Sequence, residues 1–305
     1  MTSVDARLDP ALPLRLMGGT VMDGAMTIEI LSSSRTFGGT LHVARHASSA
    51  TGTPMRFTVF VPPGEGPFAS LVFLAGLTSS EENFTIKGGG YRYAAEEKLI
   101  VIAPDTSPRG DEVADDDAYD LGKGAGFYID ATQAPWTPHF RMESYITRDL
   151  LAAVDANFPA DPKRRGITGH SMGGHGALTL GMKHPDLFKT ISAFAPIVSP
   201  LNCAWGDKAF TAYLGANRAT WAAHDSCALV AAGKAAPFGE ILIDQGLADT
   251  FYQSELKTHL IEEAASTSGA TITVRRHEGY DHGYFFVSTF IADHIAFHAK
   301  RLGRA

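Results

Sequence analysis

Four short, nearly uninterrupted apolar runs limit the fold more than any other feature of this chain: residues 71–74, 99–103, 191–195 and 241–243. A strand that is apolar on both faces has to be covered on both, which is the situation of a parallel sheet layered between helices. Helical patterns lie between the runs, at residues 91–98, 145–157, 174–183 and 252–265. Strands that alternate with helices predict an α/β sheet with right-handed crossovers. Upstream the pattern changes. Residues 27–31, 40–44 and 55–61 alternate apolar and polar side chains, with breaks at Phe37-Gly38-Gly39 and Pro62-Pro63-Gly64, as in an antiparallel meander. Residues 1–25 lack clear periodicity and are expected to be an N-terminal extension to a single domain over residues 26–305. A 305-residue chain can bury such a core without disulfide or metal.

Charge and cysteine content exclude several classes of function. The formal net charge is −7, which argues against a large nucleic-acid surface and against attraction to anionic lipid. No stretch approaches 18 consecutive apolar residues, so no transmembrane helix is expected. Asp5 and Asp9 stand where a secretory signal would carry basic residues. The two cysteines, Cys203 and Cys227, lie in no metal-spaced pattern, and a reducing cytoplasm is the expected location.

The most informative stretch for chemistry is Gly169-His170-Ser171-Met172-Gly173, a Gly-x-Ser-x-Gly motif. A strand pattern at 165–168 precedes it and a helix pattern follows, the context in which a serine is presented on a sharp strand-to-helix turn. Such a turn leaves no room for side chains at the glycines, and it aims the N-terminal N–H groups of the helix at the serine. Ser171 is therefore the candidate nucleophile. A serine hydroxyl needs a base, and the base needs an orienting acid, in the chain order Ser, acid, His for this type of fold. His259, His294 and His298 fall in helical patterns and read as surface or packing residues. His282 follows the strand pattern at 271–274 and a loop, and precedes a helix beginning near Phe285, so it is the candidate base. Asp244 and Asp249 compete for the acid. Asp249 lies beyond a glycine turn and can fold over the strand ends, whereas Asp244 abuts the strand and is expected to bond backbone. The choice falls on Asp249. An oxyanion hole needs two N–H donors. Met172, the residue after the nucleophile, is one candidate. Leu77, in the glycine-containing turn after the strand at 71–74, is the other.

Further motifs make a family visible. Gly76-Leu77-Thr78 with Glu82-Asn83-Phe84, Pro104-Asp105-Thr106-Ser107-Pro108-Arg109-Gly110, and Gly122-x-Gly124-Ala125-Gly126-Phe127-Tyr128 are joined by the serine motif extended to Ala177. Trp205-Gly206-x-Lys208-Ala209-Phe210, Asp244-Gln245-Gly246-x-Ala248-Asp249 and Gly279-Tyr280-Asp281-His282 complete the set. Over roughly residues 26 to 302 the chain resembles the S-formylglutathione hydrolases of the esterase D type. The resemblance implies an α/β-hydrolase that cleaves S-formylglutathione to formate and glutathione in formaldehyde detoxification, and that also hydrolyses small esters. It implies the triad Ser171, Asp249 and His282, no cofactor, a cytoplasmic location and a possible homodimer. Two departures stand out: Ser79 occupies a position where the family commonly has cysteine, and residues 1–25 have no counterpart. A general short-chain carboxylesterase, an acyltransferase and a catalytically silent binding protein are the competing functions.

Other patterns carry less. Asp111-Glu112 with Asp115-Asp116-Asp117 lacks the glycine and final glutamate of a calcium loop and reads as a solvated acidic loop. Gly88-Gly89-Gly90 has no Walker lysine. His170 and His175 have no nearby carboxylate or thiol in the sequence to complete a metal site, so packing or pocket lining is expected, and no metal. Trp136 and Trp205 are candidate walls of a small acyl pocket, with aromatic core as the alternative.

Overall fold

The computed structural model describes residues 26–303. The proposed extension at residues 1–25 lies outside the described residues. Nine strands form one sheet in the order β1-β2-β3-β5-β4-β6-β7-β8-β9. The first three, β1 (Glu29–Thr36), β2 (Gly39–Ala47) and β3 (Pro54–Val61), make an antiparallel meander. β3 pairs antiparallel with β5 (Leu99–Pro104), and from there the sheet is parallel through β4 (Phe68–Leu74), β6 (Ala160–Gly169), β7 (Thr190–Phe194), β8 (Ile241–Gly246) and β9 (Ile272–His277). This is the mixed sheet of an α/β-hydrolase. Every residue of β4, β5, β7 and β8 is buried, as the continuous apolar runs require. β1 starts two residues later than the alternation suggested and continues through Ser32-Ser33-Ser34. It is an exposed edge strand, where polar side chains cost nothing.

The helices are α1 (Glu81–Lys87), α2 (Tyr91–Glu96), α3 (Met142–Ser144), α4 (Leu151–Asn157), α5 (Met172–Lys183), α6 (Ala204–Leu214), α7 (Ser226–Ala231), α8 (His259–Ser268) and α9 (Tyr284–Leu302). They cover both faces of the sheet, and side-chain alternation shows which. A Cβ on Gly166 would meet His298 of α9, while Ile167 touches the space above Gly181 of α5. β7 repeats the division: Thr190 and Ser192 bond the α9 histidines, and Ile191 packs on α5. In β4, Phe73 stacks on Phe84 of α1 at 4.0 Å, and Leu74 packs beneath Gly176 of α5. Thus α1 and α9 share one face and α5 lies on the other.

Two expected helices differ in detail. The pattern at 145–157 is real, but Tyr145–Leu150 is a π-helical segment between α3 and α4. The pattern at 252–265 is broken: Tyr252–Leu256 forms a π turn, Lys257 takes the left-handed conformation at φ 50°, and α8 begins after it. Periodicity cannot see such a break, because the apolar spacing continues through it.

Candidate active site

The carboxyl ends of β4, β6, β8 and β9 converge on one cavity of about 300 Å³, lined by Gly76, Ser171, Trp205, His282 and Tyr284 among others. β4 is where the chain order reverses, with β5 on one side and β6 on the other. The strand-end crevice at such a switch point is the usual ligand site of an open α/β sheet.

Ser171 sits between β6 and α5 with φ 60° and ψ −121°, a conformation that costs of the order of 1–3 kcal/mol and persists only where its surroundings impose it. Those surroundings are explicit. Ser171 N–H donates to Phe194 O at 2.9 Å, His175 N–H donates to Ser171 O at 3.0 Å, and His170 N–H donates to Leu74 O at 3.0 Å. The flanking glycines are sterically required. A Cβ on Gly169 would lie 2.2 Å from Gly173 O, and one on Gly173 would lie 2.0 Å from Leu74 O. Even Gly76 has little room, since a Cβ there would stand 3.1 Å from Ser171 Cβ. The Ser171 hydroxyl makes no hydrogen bond among the described residues, and both Ser171 and His282 line the cavity. Such contacts are often long in unliganded sites and tighten in the reacting complex.

His282 Nδ1 lies 2.6 Å from Asp249 Oδ2. The acid is held from two further sides: Phe251 N–H donates to Asp249 Oδ1 at 2.8 Å, and Gln245 Nε2 approaches Oδ2 at 3.4 Å. Gln245 is fixed in turn by the Thr258 hydroxyl at 2.7 Å. The loops carrying acid and base are joined by backbone bonds, Leu247 N–H to His277 O and Ala248 N–H to Tyr280 O, both 2.9 Å. Gly246 allows this approach, because a Cβ there would meet Tyr280 O at 2.4 Å. The His282 ring lies between His170, at 4.5 Å between centroids, and Phe251, at 5.2 Å.

The two nominated backbone donors flank Ser171. Met172 is the first residue of α5, and Leu77 lies in the turn after β4. Neither N–H has a protein acceptor among the described residues. The Leu77 turn is braced by Thr78 N–H to Gly124 O at 2.9 Å, and the Ser79 carbonyl accepts from Thr106 Oγ1 at 2.5 Å and from Arg109 at 2.9 Å. Thr78 itself has φ 64°. Ser171 and Thr78 thus place two strained residues beside one cavity.

Residues 48–297 match the family model described as "Putative esterase". An S-formylglutathione hydrolase of Paracoccus denitrificans (strain Pd 1222) is 51% identical over 280 residues, covering 91% of this chain and 99% of the relative. This chain belongs to the S-formylglutathione hydrolase family. The solved S-formylglutathione hydrolase of Agrobacterium tumefaciens superposes with a TM-score of 0.87 at 47% identity, covering 90% of this chain and 99% of that one. A fluorophosphonate-binding serine hydrolase of Staphylococcus aureus shares the fold with a TM-score of 0.68 at 23% identity, covering 86% of this chain and 98% of that one.

Against that family background, several sequence expectations find their places. Ser79, where the resemblance implies a cysteine in the family, is a buried residue on the cavity wall. Trp205 lines the cavity, but Trp136 does not. Its ring packs on Phe140 and Tyr213 at 5.1 and 5.2 Å, in the core. Asp244 does not bond backbone through its carboxylate as expected. Arg275 grips it with two bonds of 2.6 Å, and ring nitrogens of His277 and His294 stand 3.3 Å away. These partners lie 31 to 50 residues downstream, beyond the reach of local pattern. His170 lines the cavity, whereas His175 packs between Phe127 and Phe210, where burial pushes its pKa down to about 3. Among the described residues no three His, Cys, Asp or Glu side chains form a group suited to a metal ion, and no helix is long and apolar enough to cross a membrane. Sequence reasoning missed Tyr119, Phe251 and Tyr284 as cavity residues. Tyr119 lies in the irregular segment 105–141, where no periodicity could single it out, while Tyr284 stands only two residues beyond His282.

Proposed function

We propose that this chain hydrolyses S-formylglutathione to formate and glutathione through a formyl ester on Ser171. The chemistry rests on one observation above all: the Asp249–His282 bond of 2.6 Å beside a serine held on a strained turn. The substrate rests on the family. His282 takes the Ser171 proton as Oγ attacks the thioester carbon. Asp249 accepts the Nδ1–H and stabilises the imidazolium that results. The Leu77 and Met172 N–H groups, with the N-terminal end of α5, hold the negative charge that develops on the carbonyl oxygen. The C–S bond then breaks, and the imidazolium protonates the departing thiolate. Water attacks the formyl ester and gives a proton to His282, which returns it to Ser171 as formate leaves.

This reaction places the enzyme in glutathione-dependent formaldehyde detoxification, and we propose a cytoplasmic homodimer as its working form, to be checked by fractionation and light scattering. The deciding experiment compares kcat/KM for S-formylglutathione and for p-nitrophenyl acetate. S-formylglutathione should be preferred by at least about tenfold, that is, by at least about 1.4 kcal/mol in transition-state binding. Equal or reversed values would make the chain a general short-chain carboxylesterase.

A further inference from the structure

The floor of the cavity and its rim are built differently. His170, Ser171 and Trp205 are buried, whereas Thr78 and Tyr119 are exposed. A formyl group is small, so the peptide half of a formyl thioester has to run outward across the rim. Tyr119 is 57% exposed, yet it is anchored. Its hydroxyl oxygen lies 3.0 Å from Trp205 Nε1. An indole N–H can only donate, so the phenol oxygen accepts and the phenol's own proton is left free. No protein acceptor takes that proton among the described residues. A hydroxyl already accepting one bond is polarised toward donating the next.

The anchor is itself fixed. The Trp205 backbone N–H donates to Glu255 Oε2 at 3.0 Å, and the indole packs on Phe251 at 4.7 Å. On the other side of Tyr119 the segment is tied to α6, through Lys208 to Asp120 at 2.5 Å and Gly122 N–H to the Tyr213 hydroxyl at 2.9 Å. The result is a rigid O–H donor at the mouth of the cavity.

We infer that Tyr119 is a specificity-determining residue whose hydroxyl donates to a peptide carbonyl of the leaving thiol, selecting a peptide thiol over a small one. The inference rests on the function proposed above. Tyr119 takes no part in bond breaking, so its contribution appears in binding. The test compares wild type and Tyr119→Phe on S-formylglutathione and on S-formyl-2-mercaptoethanol, which keeps the formyl thioester and lacks the peptide. For S-formylglutathione, kcat/KM should fall by about five- to tenfold, the size of one neutral hydrogen bond, with the loss in KM and kcat within about twofold. For the mercaptoethanol thioester it should stay within about twofold. Equal losses on both substrates, a loss confined to kcat, or no loss on either would overturn the inference and leave the proposed function standing. A wild-type enzyme that cleaved the mercaptoethanol thioester but not S-formylglutathione would overturn both.

Discussion

Asp244 and Asp249 stand five residues apart at the end of β8, both buried and both beside a histidine, yet their surroundings assign them different work. The Asp244 carboxylate is gripped by Arg275, which also reaches Asp293 at 2.7 Å. Its neighbour His294 is fully buried and continues a polar chain through Ser192 to His298 and Thr190, under α9 and away from the cavity. Asp249 has no lysine or arginine partner among the described residues, and its histidine faces the cavity. A carboxylate already neutralised by a guanidinium has little field left for a transient imidazolium, whereas an unneutralised one can stabilise it. Partners, more than position on the strand, separate the two pairs, and they favour Asp249 over Asp244 as the acid of the proposed reaction.

Exchanging each carboxylate for its amide separates the two roles. Asp249→Asn should lose about 10⁴ in kcat, as tautomer control and charge stabilisation disappear together, while its melting temperature changes little. Asp244→Asn should show the reverse balance. It leaves Arg275 without its buried partner, a loss of up to about 3 kcal/mol, reduced because Arg275 is one-third exposed and keeps Asp293. Thermal unfolding should drop by several degrees, with kcat within about tenfold. A stable, inactive Asp244→Asn beside a working Asp249→Asn would exchange the two roles.

The serine turn, the histidine loop and the alternation of strand and helix could be read in the sequence because local pattern encodes them. Gly169 and Gly173 are needed at fixed offsets from Ser171, and continuous apolar runs mark strands covered on both faces. The partners of Asp244 could not be read, since Arg275, His277 and His294 meet it only through the pairing of β8 with β9 and the packing of α9. Of the wall formed by Tyr119, Trp205 and Phe251, only Trp205 could be picked out, since the three come from separate segments. The π turn at Tyr252–Leu256 escaped for another reason: its apolar spacing imitates a helix.

The stability lost to acid should begin with the buried histidines, because the unfolded chain protonates them near neutral pH and the folded chain does not. Burial holds His170, His175, His294 and His298 below the ordinary histidine value. Below about pH 6.5 the unfolded chain therefore binds protons that the folded chain refuses, and stability falls as pH drops. For His175 this continues toward about pH 3. Urea denaturation should show a loss of at least about 2 kcal/mol between pH 7 and pH 5, each such histidine contributing up to about 1.4 kcal/mol per pH unit. A flat profile would mean that these rings charge without cost.

The smallest expected effect is that of a thiol reagent. Cys203 is buried with its pKa pushed up to about 12, burial likewise raises Cys227, and the residue on the cavity wall at position 79 is a serine. Thiolate is scarce at both cysteines. N-ethylmaleimide at neutral pH should leave activity within about a fifth of the untreated rate, and placing a cysteine on the cavity wall with Ser79→Cys should introduce sensitivity. Rapid inactivation of the unmodified chain would show a reactive thiol near the cavity.

Peptide mapping after treatment with an organophosphate decides whether Ser171 forms the covalent intermediate. One phosphoryl adduct per chain on the peptide containing Ser171, loss of turnover in step with labelling, and no adduct in a folded Ser171→Ala protein are the expected results. That variant's kcat should fall by about 10⁴ or more. An adduct on another residue, or near-full turnover of S-formylglutathione by Ser171→Ala, would contradict the account.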